Sequence, residues 1–224
     1  MIVLYTTERD YPWGTLRSTH GAKTKVVLEE KGVAYRIENL PPGHLMKKPP
    51  EMVAKHPLGK VPYLEDGELV IFDSTVIDEY LEERYPQQRL MPSEPIARMR
   101  VRELENFADE AMLIGSVPPI WMPYWSEPGK RDLERMEKGR ALLRSRDLPY
   151  LEKVLGNVSD GSYACGEFSL ADVPLMALAM VLEVDAPNLD AFPKVDAYLQ
   201  RLRQRSSYRA ISPKTKVADA SGRG

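Results

Sequence analysis

The sequence predicts a small α/β unit followed by an all-helical one. Three observations carry this. Residues 1–85 run through strand-like and helix-like patterns in the order strand, helix, strand, then strand, strand, helix. Residues 86–95, "PQQRLMPSEP", hold three prolines and no periodicity, so they read as a linker. From 96 to 212 only helical patterns remain, which makes the second unit all-α.

Each element has its own justification. "IVLY" (2–5) is a buried strand, and "TTERDYPWGTLRSTHG" (6–21) is a loop rich in turn residues. In "AKTKVVLEEKG" (22–32), Val26, Val27 and Leu28 form the apolar side of a helix that Gly32 stops. "VAYRIENL" (33–40) alternates as a second strand, and four prolines keep 41–50 out of regular structure. "EMVAKHP" is at most a short helix, and "STVIDEYLEERYP" (74–86) is a helix with Val76, Ile77, Tyr80 and Leu81 on one side. Further helices are expected at 96–115, 128–156, 169–184 and 192–204, with breaks near 117–127 and 157–168. Ser169 to Asp172 has the spacing of a capping box before an apolar helix. The polar, aperiodic stretch 213–224 reads as a disordered tail.

Composition narrows the function classes. With 224 residues, a formal charge of −2, 43% hydrophobic and 29% charged residues, the chain reads as soluble and globular, without the basic footprint of a nucleic-acid or acidic-membrane binder. The N-terminus lacks the pattern of a secretory signal, and the longest apolar run, 173–182, is too short to span a bilayer. One cysteine, Cys165, excludes a disulfide within the chain and fits a reducing cytoplasm.

The most informative stretch is "GKVPYLEDGELVIFDST" (59–75). Asp66-Gly67 between two alternating runs signals a tight hairpin, and the second run delivers Asp73 and Ser74 to the start of a helix. An acid and a hydroxyl beside free helix N–H groups serve either as an ordinary N-cap or as a grip on a ligand carrying both an ammonium and a carboxylate.

Four segments together resemble the glutathione transferase family, over about residues 1 to 212: "KVVLEEKGVAYRIENL", "PPEMVAKHPLGKVPYLEDGELVIFDSTVIDEYLEERYP", "FSLADVPLMALA" and "FPKVDAYLQRLRQRSSYRAI". The second of these is highly specific. The resemblance implies a thioredoxin-like first domain (βαβαββα, 1–85), a linker (86–95) and an all-helical second domain (96–212). It implies a cis peptide before Pro62, with the Val61 backbone pairing to the main chain of glutathione. Asp73 would meet the ammonium of the γ-glutamyl group and Ser74 its carboxylate, while Lys47 or Lys48 would take the glycyl carboxylate. His56 stands where the family often has Asn, and capping of its loop is expected of it.

Such enzymes stabilise the glutathione thiolate with a hydroxyl near the start of the first helix. Ser18 falls at that position, with Tyr11 the second choice and Thr6 and Tyr5 behind. The chain departs from the family in having Thr19 after the serine and twelve residues between Tyr5 and Ser18. Ser18 as a plain helix cap is the competing reading. Cys165, expected to be a small buried residue, is not a rival nucleophile. The electrophile is expected to be hydrophobic and to meet Tyr11, Trp13, Met112, Tyr124 and Trp125, with Trp121 and Met122 as further candidates. The resemblance thus implies a cytoplasmic, homodimeric serine-type transferase using glutathione as co-substrate, with no metal and no nucleic-acid or membrane partner. A specialised glutathione-dependent lyase or etherase, and a non-catalytic regulatory or starvation-type protein on the same fold, are the alternatives.

Overall fold

The structure, a computed structural model, describes residues 1–41, 47–159 and 161–214. The chain divides into two compact units, one of Met1–Gln88 with Ala210–Gly224 and one of Arg89–Arg209. The first division falls inside the 86–95 stretch. The second returns the end of the chain to the first unit. Of the segment 213–224 only Pro213 and Lys214 lie within the described residues, and Pro213 is buried.

The first unit is built on a four-stranded sheet of order β4-β1-β5-β6. Strand β1 (Ile2–Thr6) lies at its centre, parallel to β4 (Tyr35–Asn39) and antiparallel to β5 (Tyr63–Asp66), with Leu4 opposite both Ile37 and Leu64. Strand β6 (Leu69–Phe72) pairs with β5 and closes the predicted hairpin. Helix α1 (Thr19–Lys31) ends at Gly32, whose φ of 62° lets its N–H turn back onto the last carbonyls. Helix α3 (Ser74–Arg84) packs beside α1, and a short α2 (Pro50–Lys55) lies against β6. The core is aliphatic: Leu4, Val26, Val27, Leu28, Leu64, Ile77 and Leu81 are fully buried. This is the thioredoxin-like unit that the sequence predicts.

The stretch 6–21 departs from its expected loop. It forms a second, separate hairpin, β2 (Glu8–Tyr11) and β3 (Gly14–Arg17), and α1 then begins at Thr19 rather than 22. The physical reason lies in its charges. Glu8 stands directly opposite Arg17 and pairs with it at 3.3 Å, and Lys25 of α1 reaches Glu8 at 2.9 Å, all three buried. A cross-strand ion pair holds the hairpin, so apolar alternation, the usual strand signal, is weak there.

In the second unit, α4 (Pro95–Phe107) runs through a π-helical segment, Ala108–Ser116, into α5 (Val117–Trp121) and a 3₁₀ turn, Met122–Trp125. The expected break at 117–127 is therefore confined to its end, where Ser126 turns extended. Pro118 and Pro119 sit in the first turn of α5, where a missing N–H and a preset φ are tolerated. Helix α6 (Leu133–Leu142), a π-helical segment at Leu143–Asp147, α7 (Leu148–Gly156), α8 (Val173–Asp185) and α9 (Pro193–Gln204) follow. Every residue from Val173 to Leu182 is buried, so α8 is the core of this unit. Half of the expected capping box forms: the Asp172 carboxylate accepts from the Ser169 N–H at 2.7 Å. The other half changes, because the Ser169 hydroxyl donates to Asp172 at 3.1 Å. The Ala164 N–H and the Tyr198 hydroxyl complete the shell of this carboxylate, whose pKa burial raises against those bonds.

Candidate functional site

Helix α1 starts where β3 ends. Ser18 is its N-cap, and its Oγ accepts from the Gly21 N–H at 3.2 Å. Its own N–H donates to the Thr7 carbonyl at 2.9 Å. Beneath this turn lies Thr6, 1% exposed, whose hydroxyl has no hydrogen-bond partner among the described residues. A Cβ at position 21 would come within 1.9 Å of Thr6 Oγ1, so only glycine lets the end of β1 approach the start of α1 this closely. Ser18 itself remains half-buried, and its hydroxyl proton is free to donate while its lone pair caps the helix. The other hydroxyl candidates stand apart in role. Tyr5 donates to Glu65 at 3.0 Å and stacks on Tyr63 at 4.4 Å. Tyr11, half-buried at the tip of the new hairpin, stacks on Trp13 at 5.0 Å.

The β6–α3 corner carries the acid and hydroxyl. Asp73 has φ 74°, unusual for a non-glycine residue, and its Oδ1 accepts from the N–H groups of Thr75 at 3.0 Å and Val76 at 3.3 Å. The backbone strain is held where the carboxylate caps α3 and stays exposed. Ser74 follows, 4% exposed. Two further residues, which the sequence reading missed, join this corner to α1: Lys23 of α1 donates to Thr75 Oγ1 of α3 at 3.2 Å. No local signal in the sequence marks them, because the burial of Lys23 appears only in the fold.

The peptide bond between Val61 and Pro62 is cis. Just before it, Gly59 takes φ 55°, and the Lys48 side chain lies over it with Nζ donating to the Leu58 carbonyl at 2.8 Å. Lys47 is exposed and makes no ion pair among the described residues. His56 is 4% exposed. Its Nδ1 accepts from the Leu58 N–H at 3.2 Å, and its ring lies 4.9 Å from Phe72, the residue before Asp73. Burial, and then the charge of Lys60, lower its pKa. His56 thus caps its loop, as expected, and contacts run continuously from Lys48 through His56 and Phe72 to Asp73, then through Thr75 and Lys23 to α1. In this unit the structure brings Ser18, Asp73, Ser74, Val61, Pro62 and Lys48 onto connected elements. No group of His, Cys, Asp and Glu suited to a metal ion occurs among the described residues.

The aromatic candidates of the second unit have their own surroundings there. Met112 is fully buried in the π-helical segment. Tyr124 donates to Asp185 at 2.9 Å under the Arg131 guanidinium, 4.4 Å above its ring. Trp121 is 3% exposed, Trp125 is half-buried, and Met122 is 48% exposed. Cys165 is half-buried, and burial pushes its thiol up to about 11, which leaves it unreactive as a thiolate at neutral pH.

A thioredoxin-like unit and a helical unit in one chain match known proteins. The family model described as "Glutathione S-transferase, N-terminal domain" matches residues 14–89. A "Stringent starvation protein A homolog" of Pasteurella multocida is 30% identical over 194 residues, 83% of this chain and 82% of that protein. The protein of the same name from Haemophilus ducreyi is 39% identical over 191 residues, 83% and 81% of the two chains. A crystal structure of a glutathione S-transferase from Methylobacillus flagellatus, with glutathione bound, superposes with a TM-score of 0.73 over 95% of this chain and all of its own, at 23% identity. The chain belongs to the glutathione transferase family.

Proposed function

We propose that the first unit binds glutathione and that Ser18 stabilises its thiolate for attack on a hydrophobic electrophile. The observation that carries this reading is the Lys23–Thr75 bond at 3.2 Å, which sets the capped starts of α1 and α3 beside each other. A helix N-terminus favours an anion. Here one such end carries a hydroxyl and the other an acid. In this reading the ammonium of the γ-glutamyl group pairs with Asp73, and its carboxylate lies on the α3 amides beside Ser74. The Val61 backbone aligns the cysteinyl residue, and Lys47 takes the glycyl carboxylate while Lys48 holds the loop around Leu58. The thiol then lies near Ser18 and the α1 amides. A free thiol has a pKa of about 8.5, so a donor at that end raises the ionised share at neutral pH. Tyr11 and Trp13 supply aromatic surface for the electrophile from the first unit. The family's cytoplasmic location and homodimeric state belong to the same reading. The exposed apolar residues Leu69, Val70 and Phe72 on the edge strand β6, with Val76 on α3, support the dimer.

A second reading has a specific basis. The relatives that match most of the chain at 30% and 39% identity bear the name of a starvation protein, not of a transferase. A protein that binds glutathione, or only partner proteins, without turnover fits that name equally well. Retention on glutathione-agarose followed by an assay with an activated aryl halide separates the readings. Retention with turnover supports the transferase. Retention without turnover fits a glutathione-binding protein of the second reading or an enzyme with a specialised substrate, such as a lyase or etherase. Failure to bind removes the glutathione site.

A further inference from the structure

Arg17, 1% exposed, is among the largest fully buried side chains of the molecule and immediately precedes Ser18. Its guanidinium does not end at Glu8. Nη1 donates to the Ser212 carbonyl at 2.8 Å and to the Ile211 carbonyl at 3.2 Å, 195 and 194 residues downstream. One residue further on, the Pro213 carbonyl accepts the Thr15 N–H at 2.8 Å. Thr15 lies on β3, so the chain end runs along the hairpin and pairs with it. Ile211 anchors that end, with no exposed surface. On the hairpin's other side, Glu8 is held by Lys25 of α1 at 2.9 Å, and its N–H donates to Asn39 Oδ1 at 2.7 Å. The enlarged segment before Ser18 is thus gripped from α1, from β4 and from the chain end.

We propose that the segment Ile211–Pro213 is a clasp which, through Arg17 and Thr15, positions the hairpin and the Ser18 hydroxyl for thiol activation. Arg17 is a positioning residue in this scheme: it touches neither the thiol nor the electrophile. The clasp rests on the reading of Ser18 given above. Its logic is mechanical. Ser18 is held on the α1 side by the Gly21 and Ala22 N–H groups and on the hairpin side by the Thr7 carbonyl, and Thr7 adjoins Glu8 in the charged core of the hairpin. If the chain end lets go, Arg17 loses two of its acceptors inside a buried site, and the hairpin that carries Ser18 loosens while α1 and α3 stay packed on the sheet. A buried donor without its partner is costly, so clasp and hairpin order together.

The test uses two variants of the full chain, one on each side of the contact. Arg17→Lys keeps the charge, but its single nitrogen cannot face Glu8 as Nε does and reach the two carbonyls as Nη1 does at the same time. Ile211→Ala loosens the anchor of the chain end and leaves the hairpin sequence intact. Amide exchange, read by mass spectrometry, is expected to rise by about ten-fold in both 8–17 and 211–214 in each variant. In both, the ultraviolet titration of bound glutathione thiolate shifts to higher pH, while its Kd by calorimetry stays within about three-fold of the wild type because Asp73 and the α3 amides are held by α3 and not by the hairpin. Exchange confined to the mutated segment, or coupled exchange with an unshifted thiolate titration, overturns the proposal. If the wild type binds no glutathione, the functional reading falls and the exchange arm alone decides: coupled exchange retains the clasp as the holder of the hairpin, and local exchange removes it.

Discussion

Lys23 Nζ stands 3.2 Å from Thr75 Oγ1, and this bond ties the N-terminal half of α1 to the first turn of α3. Lys23 is completely buried, so it is a fixed part of that corner. Two helix N-termini, each equivalent to roughly half a positive charge, lie near this ammonium. Beside them the exposed acid Asp73 caps α3 through its Oδ1. That is the electrostatics a zwitterionic head group requires.

Asp73 has two roles, and two substitutions separate them. Asp73→Asn keeps a cap oxygen for the Thr75 and Val76 amides but removes the charge. It is expected to retain the wild-type melting temperature and to lose glutathione affinity. Asp73→Ala should lose affinity, by about 2–5 kcal/mol, and also about 1 kcal/mol of stability. Calorimetry with unchanged affinity in both variants would remove the γ-glutamyl assignment.

Ser18→Ala removes the cap to Gly21 and the proposed donor together. Turnover is expected to fall about 10²–10³-fold, the thiolate titration to move to higher pH, and stability to drop by about 1 kcal/mol. Tyr11→Phe is the paired control. A titration that moves only in Tyr11→Phe transfers the thiol role to the hairpin tip and leaves Ser18 as a helix cap.

The two lysines should behave differently. Lys48 is bonded to the Leu58 carbonyl at 2.8 Å and Lys47 is exposed. Lys47→Ala is expected to weaken glutathione but not its glycyl-amide analogue, by about 2 kcal/mol at most. Lys48→Ala should weaken both ligands alike, because it frees the loop. Competition binding with the two ligands reads this out, and the opposite pattern would exchange their roles.

His56 makes stability pH-dependent with a defined sign. Burial lowers its folded pKa, so the unfolded state, with a pKa near about 6.5, takes up the proton first as pH falls. The contribution is therefore fully present above about 6.5 and is lost below it, down to the depressed folded value. Thermal melts from pH 7.5 to acid should show this slope in the wild type and a shallower one in His56→Asn. Equal slopes would mean that His56 is solvated in the folded protein.

If β6 forms part of a dimer, a charge on its exposed apolar face should split it. Val70, 38% exposed, lies on the edge strand, and Val70→Lys is expected to give a 25.4 kDa species by light scattering where the wild type gives twice that mass. A wild type that runs as a monomer at micromolar concentration counts against the dimer.

Much of the fold was legible because it rests on local rules. Gly32 stopped α1 as a left-handed cap, Asp66-Gly67 closed β5 and β6, and the ten apolar residues from 173 to 182 became the buried core of the helical unit. The acid and hydroxyl at 73 and 74 were legible for the same reason, since a helix start uses them wherever it occurs. The stretch 6–21 was not. Its strands are held by Glu8, Arg17 and Lys25, and a charged residue reads as solvated until its partner is known. The 117–127 break failed differently: Pro118 and Pro119 follow a π-helical segment, and the chain stays helical through them.

The sequence by itself determined the two classes of unit and the hairpin and capped helix starts of the first, because those follow from periodicity, turn residues and caps. Only the tertiary structure decided that Lys23 lies against Thr75, that Tyr5 is engaged by Glu65, and that Arg17 is bound by carbonyls 194 and 195 residues away. These are long-range contacts between polar groups. No local propensity encodes them, and each exists because a buried donor must find an acceptor once the aliphatic core has brought the elements together.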